Sequence, residues 1–219
     1  DVERVTGKKP CLEESENISN DVLKSKVFFA TISNPAGKNL EKIEKIAKEN
    51  NLELERIRGK RECYVFAVSC DSIIIIGSDK RGTIYGLFHL SELMGVSPLV
   101  DWADLLPEHK DCVEIPEIDF YANEPSVRFR GFFINDEWPA FGNWSGHNFG
   151  GVNAQMYEHV FELLLRMKGN YLWPAMWASR FSDDGPGLAN AELADELGVI
   201  MGASHHEPCC RAGEEYKYL

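Results

Sequence analysis

Three short clusters in the second half of the sequence carry side chains suited to chemistry. They are Asn135-Asp136-Glu137, the pair Trp173 and Trp177, and His205-His206-Glu207. Flat indole faces stack on sugar rings, while carboxylates, amides and imidazoles bond hydroxyls, so the combination suits a carbohydrate site. Glycoside hydrolysis typically uses two carboxyl groups whose separation decides inversion or retention, and Asp136, Glu137 and Glu207 are the available ones. Each residue also has a plainer reading. Asp136 or Glu137 could cap a loop, and the two Trp could serve only packing. His205 and His206 are neighbours, so on a strand only one can face a given pocket. His-His-Glu suggests a metal, completed by Asp136, but HExxH and similar helical spacings are absent.

Each cluster follows a run that reads as a buried strand. Gly131-Phe132-Phe133-Ile134 lies within a strand expected over 129–135, with a loop over 136–152. A helix from Ala154 to Lys168 follows, with Asn153 as N-cap, Tyr157, Val160, Phe161 and Leu164 at helical spacing, and Gly169 as C-cap. Then come a strand over 170–177, which would put Trp173 and Trp177 on one face, a loop over 178–189, a helix over 190–197 stopped by Gly198, and a strand over 199–205. This βαβαβ alternation argues for parallel strands, whose C-terminal tips would lie side by side at one rim.

Upstream, residues 1–24 read as an irregular lead-in. Val27–Ile32, Tyr64–Val68 and Ser72–Gly77 read as strands, the last central because it is apolar on both faces. Leu40, Ile43, Ile46 and Ala47 give an amphipathic helix over about residues 39–50. Ser78-Asp79-Lys80-Arg81-Gly82 leads into a second helix carrying Ile84, Leu87 and Phe88 and stopping at Gly95. A glycine turn before a helix could cradle phosphate, but the spacing matches neither GxGxxG nor GxxxxGK[ST], which leaves a plain βα turn as the alternative. Residues 25–100 are therefore expected to form a small N-terminal α/β domain, 101–127 a Pro-containing linker, and 128–219 the first βα units of a (β/α)₈ TIM barrel. A closed barrel needs about 250 residues, so this one is expected to be truncated and the chain to be the front part of a longer enzyme.

The composition narrows the classes. Lys and Arg number 23 against 35 Asp and Glu, giving a net charge of −12 that disfavours a phosphate-backbone partner. No apolar run is long enough to span a bilayer. The Cys at 11, 63, 70, 112, 209 and 210 show no metal spacing and are expected to be unpaired. The first residue is Asp1, which fits either a removed export signal or a piece of a longer chain.

On RGFFINDE, FGG, VFELLLRMKGNYLWPAMW and GVIMGASHHEP-x-x-RA, the sequence resembles the family 115 glycoside hydrolases, the xylan α-1,2-glucuronidases. GSDKRGTIYGLFHLSELMGVSP…WAD resembles the end of that family's N-terminal α/β domain. The resemblance implies inverting hydrolysis of the α-1,2 bond between (4-O-methyl)glucuronic acid and xylose in glucuronoxylan. It implies no cofactor or metal, a xylan-derived oligosaccharide or polysaccharide as partner, and an extracellular or periplasmic location, with homodimerisation of the full-length enzyme left open. By position, Asn135, Glu137, Trp173, Trp177, His205 and His206 would bind substrate. Asp136 and Glu207 are the catalytic candidates within the chain, the main acid and base being expected beyond Leu219. Three rivals remain: another exo-glycosidase of hexosaminidase-like layout, a non-catalytic carbohydrate-binding fragment, and a metal-dependent hydrolase on His205, Glu207 and Asp136.

Overall fold

The structure is a computed structural model describing residues 1–13, 26–33, 39–69, 72–177 and 179–203. It is mixed α/β and divides into two compact units, Asp1–Ser126 and Val127–Leu219.

In the first unit, the apolar runs become β1 (Lys26–Thr31), β2 (Tyr64–Ser69) and β3 (Ser72–Gly77). β3 pairs in parallel with β1 and antiparallel with β2, in the order β1-β3-β2-β4. That interior position agrees with its two-sided hydrophobicity. The amphipathic helix is α2 (Asn39–Glu49), which buries Ile43, Ile46 and Ala47 against Val65, Ala67, Ile74 and Ile76. Each Ile or Val among them contributes about 1.5–3 kcal/mol on full burial.

Two stretches differ from the sequence reading. The lead-in contains a short helix, α1 (Val2–Thr6), with Val5 fully buried and Arg4 forked onto Asp101 at 2.7 and 3.2 Å. The stretch read as a linker contains β4 (Asp119–Tyr121), which pairs antiparallel with β2 through Val65↔Tyr121 and Ala67↔Asp119. A three-residue strand shows no periodicity of its own; only its partner defines it.

The turn after β3 is a βα connection whose polar groups are consumed locally. Helix α3 (Lys80–Leu93) is N-capped by Asp79, which accepts from Gly82 N at 2.8 Å and, through its other oxygen, from Glu62 N at 2.9 Å. Ser78 Oγ accepts from Cys63 N at 2.9 Å. With a carboxylate already on the Gly82 amide, the phosphate-cradle alternative loses that donor. Gly82 serves packing instead: a Cβ there would lie 2.1 Å from the Cys63 carbonyl oxygen. The helix ends as expected, with Gly95 at φ +92°.

In the second unit, β5 (Gly131–Phe133), β6 (Tyr171–Trp173) and β7 (Ile200–Met201) form a parallel sheet in that order. Between them lie α4 (Phe141–Phe149), α5 (Ala154–Arg166) and α6 (Ala189–Leu197). Asn153 caps α5 by accepting from Met156 N at 3.2 Å, and Tyr157, Val160, Phe161 and Leu164 are buried. The left-handed residue after α5 is Lys168 (φ +58°), not Gly169. Gly169 is small because a Cβ would meet Leu164 Cδ1 at 2.4 Å. α4 occupies what reads as a loop. Its Gly, Asn and Ser content gives it weak helix propensity, and tertiary contacts support it: Phe149 packs on His159 of α5 at 5.0 Å, and Ser145 Oγ donates to Gly151 O at 2.7 Å.

No described helix is long and apolar enough to cross a membrane. Cys11, Cys63 and Cys112 are unpaired, as expected; Cys70, Cys209 and Cys210 lie outside the described residues.

Candidate active site

The site is built where β5 and β6 end. Ile134 continues the ladder by donating to Trp173 O at 3.0 Å and is buried, and the next residues diverge in fate. Asn135 and Glu137 are exposed, while Asp136 between them is 1% exposed. At the neighbouring tip, Pro174 follows β6 and brings no N–H, so ladder pairing cannot pass through it. The chain then turns under Ala175, whose amide donates to Tyr157 OH at 3.2 Å, and aims the next two amides at Asp136.

Asp136 Oδ1 accepts from Met176 N at 2.8 Å, both its oxygens accept from Trp177 N at 3.1 Å, and Oδ2 accepts from Ser179 Oγ at 3.4 Å. An ionised carboxylate offers about four lone-pair sites. Those of Asp136 are largely engaged with the chain itself, so its visible work is to join two strand tips 40 residues apart in sequence.

Trp173 and Trp177 do not share a strand face, because β6 stops at Trp173 and the two-residue period stops with it. They are held separately. Trp173 Nε1 donates to Tyr171 OH at 3.1 Å, with its ring edge-on to Phe133 at 6.0 Å. Trp177 Nε1 donates to Asn135 Oδ1 at 2.9 Å. Both indoles stay partly exposed, at 37% and 43%. Asn135, Asp136 and Trp177 are thus brought together. Glu137 contributes a backbone carbonyl to Gly142 N at 3.5 Å. His205, His206 and Glu207 lie outside the described residues, so the third strand tip is followed only to Ala203.

A cleft of about 370 Å³ opens beside Asp136, bounded by Trp138, Gly142, the Gly150–Asn153 turn, Ser179 and Asp184. Trp138 is 61% exposed. A Cβ on Gly142 would lie 2.3–2.7 Å from Trp138 Cε2, Cδ2 and Nε1. Cε2 is a ring-fusion carbon with no free edge, so this approach is onto the indole face, and only glycine fits beneath it. Gly150 (φ +75°) and Gly151 (φ +148°) turn the chain from α4 toward α5, with nothing within 4 Å of where their Cβ atoms would stand. Asp184 accepts from the Arg180 amide, and the Arg180 guanidinium lies 3.6 Å from it.

Trp138, Ser179 and Asp184 were not among the residues singled out from the sequence. Trp138 had a signal, since it directly follows Asn135-Asp136-Glu137. Ser179 and Asp184 had none, sitting in a stretch with no periodicity. Among the described residues, no group of three His, Cys, Asp or Glu side chains is placed to hold a metal ion.

The model of the family described as Glycosyl hydrolase family 115 matches residues 122–218. No curated protein matches the chain. Among solved structures, the chain is similar to a family GH115 4-O-methyl-α-glucuronidase, BtGH115A, described as having specificity for decorated arabinogalactans, at 32% identity and a TM-score of 0.70. The match covers 84% of this chain and 24% of that one, so the chain spans about a quarter of the length of that enzyme. Family model and solved structure thus coincide on the second unit, whose residues 122–218 match glycosyl hydrolase family 115.

Proposed function

We propose that the protein to which these residues belong is an α-glucuronidase, a glycoside hydrolase that removes (4-O-methyl)glucuronic acid from a plant polysaccharide. The observation that carries this reading is the likeness to BtGH115A, a 4-O-methyl-α-glucuronidase, across 84% of the chain. The bond taken is the α-1,2 linkage to xylose in glucuronoxylan, cleaved with inversion in an extracellular or periplasmic setting. A decorated arabinogalactan is the second substrate reading, favoured by the described specificity of BtGH115A. The barrel expected from the sequence is the scaffold, its first three strands being β5, β6 and β7.

In this reading Asp136 is a positioning residue. Its carboxylate holds Met176 and Trp177, and Trp177 in turn is oriented by Asn135. His205, His206 and Glu207 are proposed to meet the uronic acid from the third strand tip. With Asp136 engaged by backbone amides, the 219-residue chain by itself is expected to be inactive.

Uronic acid release is the test, measured on an aldouronic oligosaccharide and on a glucuronidated arabinogalactan oligosaccharide. The parent protein should release uronic acid from one of them and the 219-residue chain from neither. Anomeric NMR of the product reports inversion or retention. A parent protein that cleaves hexosaminides and no uronosides would overturn the reading.

A further inference from the structure

The cleft beside Asp136 has a charge that the proposed substrate must respect. Its described charged lining groups are both carboxylates, Asp136 and Asp184, with no Lys, Arg or His among the described lining residues. Among the described residues, the ion pair of Asp184 is with Arg180, at 3.6 Å. A uronate is itself an anion, and like charges in a partly desolvated cleft repel. One wall is aromatic, because Trp138 rests one indole face on Gly142 and is 61% exposed. Side-chain bulk is missing along the lining at Gly150 and Gly151, where open space stands over the backbone. At about 370 Å³ the cleft is near the small end of the ~300–1,000 Å³ typical of ligand clefts.

We infer that this cleft takes a neutral, hydroxyl-bearing sugar ring stacked on Trp138, the polysaccharide side of the glycosidic bond, and excludes the uronate. Apolar C–H faces of a pyranose meet the indole, and ring hydroxyls donate to Asp184, which tolerates donors and rejects anions. The inference rests on the glucuronidase reading, in which the substrate offers one anionic and one neutral sugar. It makes Trp138 a specificity-determining residue.

Saturation-transfer NMR on the 219-residue chain at neutral pH tests this with xylobiose, galactobiose and D-glucuronic acid as probes. At least one neutral disaccharide should bind, with glucuronic acid weaker by about tenfold or more. Trp138→Ala should abolish the neutral-sugar signal and Trp138→Phe, which keeps an aromatic face, should restore it, with circular dichroism confirming that both variants are folded. Glucuronic acid binding as well as the neutral sugars, and losing its signal in Trp138→Ala, would overturn the inference and leave the glucuronidase reading standing. Neutral binding unchanged in Trp138→Ala would also overturn it. The glucuronidase reading falls separately, if the parent protein releases no uronic acid.

Discussion

The Asp136 carboxylate is 1% exposed and accepts from two backbone amides, Met176 N and Trp177 N. Asp136→Ala would leave those buried donors without their acceptor. We predict a loss of about 3 kcal/mol or more in urea unfolding, with Asp136→Asn losing about half as much because one carbonyl oxygen remains. A surface carboxylate would show almost no change. Cys63 gives a second prediction. It is fully buried, and burial, reinforced by nearby carboxylates led by Glu124, pushes its thiol up. Iodoacetamide should modify the exposed Cys11 and Cys112 in the native chain and spare Cys63, read by peptide mass spectrometry. The raised thiol also has a pH signature. The unfolded thiol ionises first, so its contribution is full below the unfolded value, about pH 8.5, and declines as pH rises past it. Stability should therefore fall more steeply from about pH 8 to pH 10 in the native sequence than in Cys63→Ala.

At the scale of elements, glycines separate packing from propensity. Gly82 in α3 lies against the Cys63 carbonyl, where a Cβ would stand 2.1 Å from the oxygen. Gly82→Ala should destabilise the chain by about 1–3 kcal/mol, since backbone on both sides must move apart. Gly146 in α4 meets nothing within 4 Å. Gly146→Ala should stabilise by about 0.5–1 kcal/mol, because alanine loses less conformational freedom in a helix. Opposite signs in thermal melts of the two variants would check the packing of α3 and the helicity of α4 together.

For the molecule as a whole, the division between Ser126 and Val127 has a spectroscopic handle. Of the five Trp, only Trp102 lies in the first unit. Fluorescence of a Trp102→Phe variant therefore reports the second unit alone, while far-ultraviolet circular dichroism reports both. Each unit has its own buried core, Ile46, Val65, Ile74 and Ile76 in one and Tyr157, Phe161, Leu164 and Leu172 in the other. We predict urea midpoints that differ between the two probes; coincident midpoints would show one cooperative transition instead.

The strands Lys26–Thr31, Tyr64–Ser69 and Ser72–Gly77 were legible as continuous β-prone runs, and the helices Asn39–Glu49 and Ala154–Arg166 because burial of one face imposes its period on sequence. So were Asn153 as a cap and the βα turn at Ser78–Gly82, whose chemistry is local. Residues 34–38 and 204–219, the latter including His205, His206 and Glu207, lie outside the described residues. What the tertiary structure alone decided were the long-range choices. It made Phe141–Phe149 a helix against its composition, gave Asp119–Tyr121 a strand partner, and spent Asp136 on the amides of Met176 and Trp177. It also laid Trp138 over Gly142 at the mouth of a cleft. Local sequence declares which side chains must be buried and where a helix starts. It does not declare which of several amides a buried carboxylate will meet, because that partner is fixed by chain packing across 40 residues and leaves no period to read.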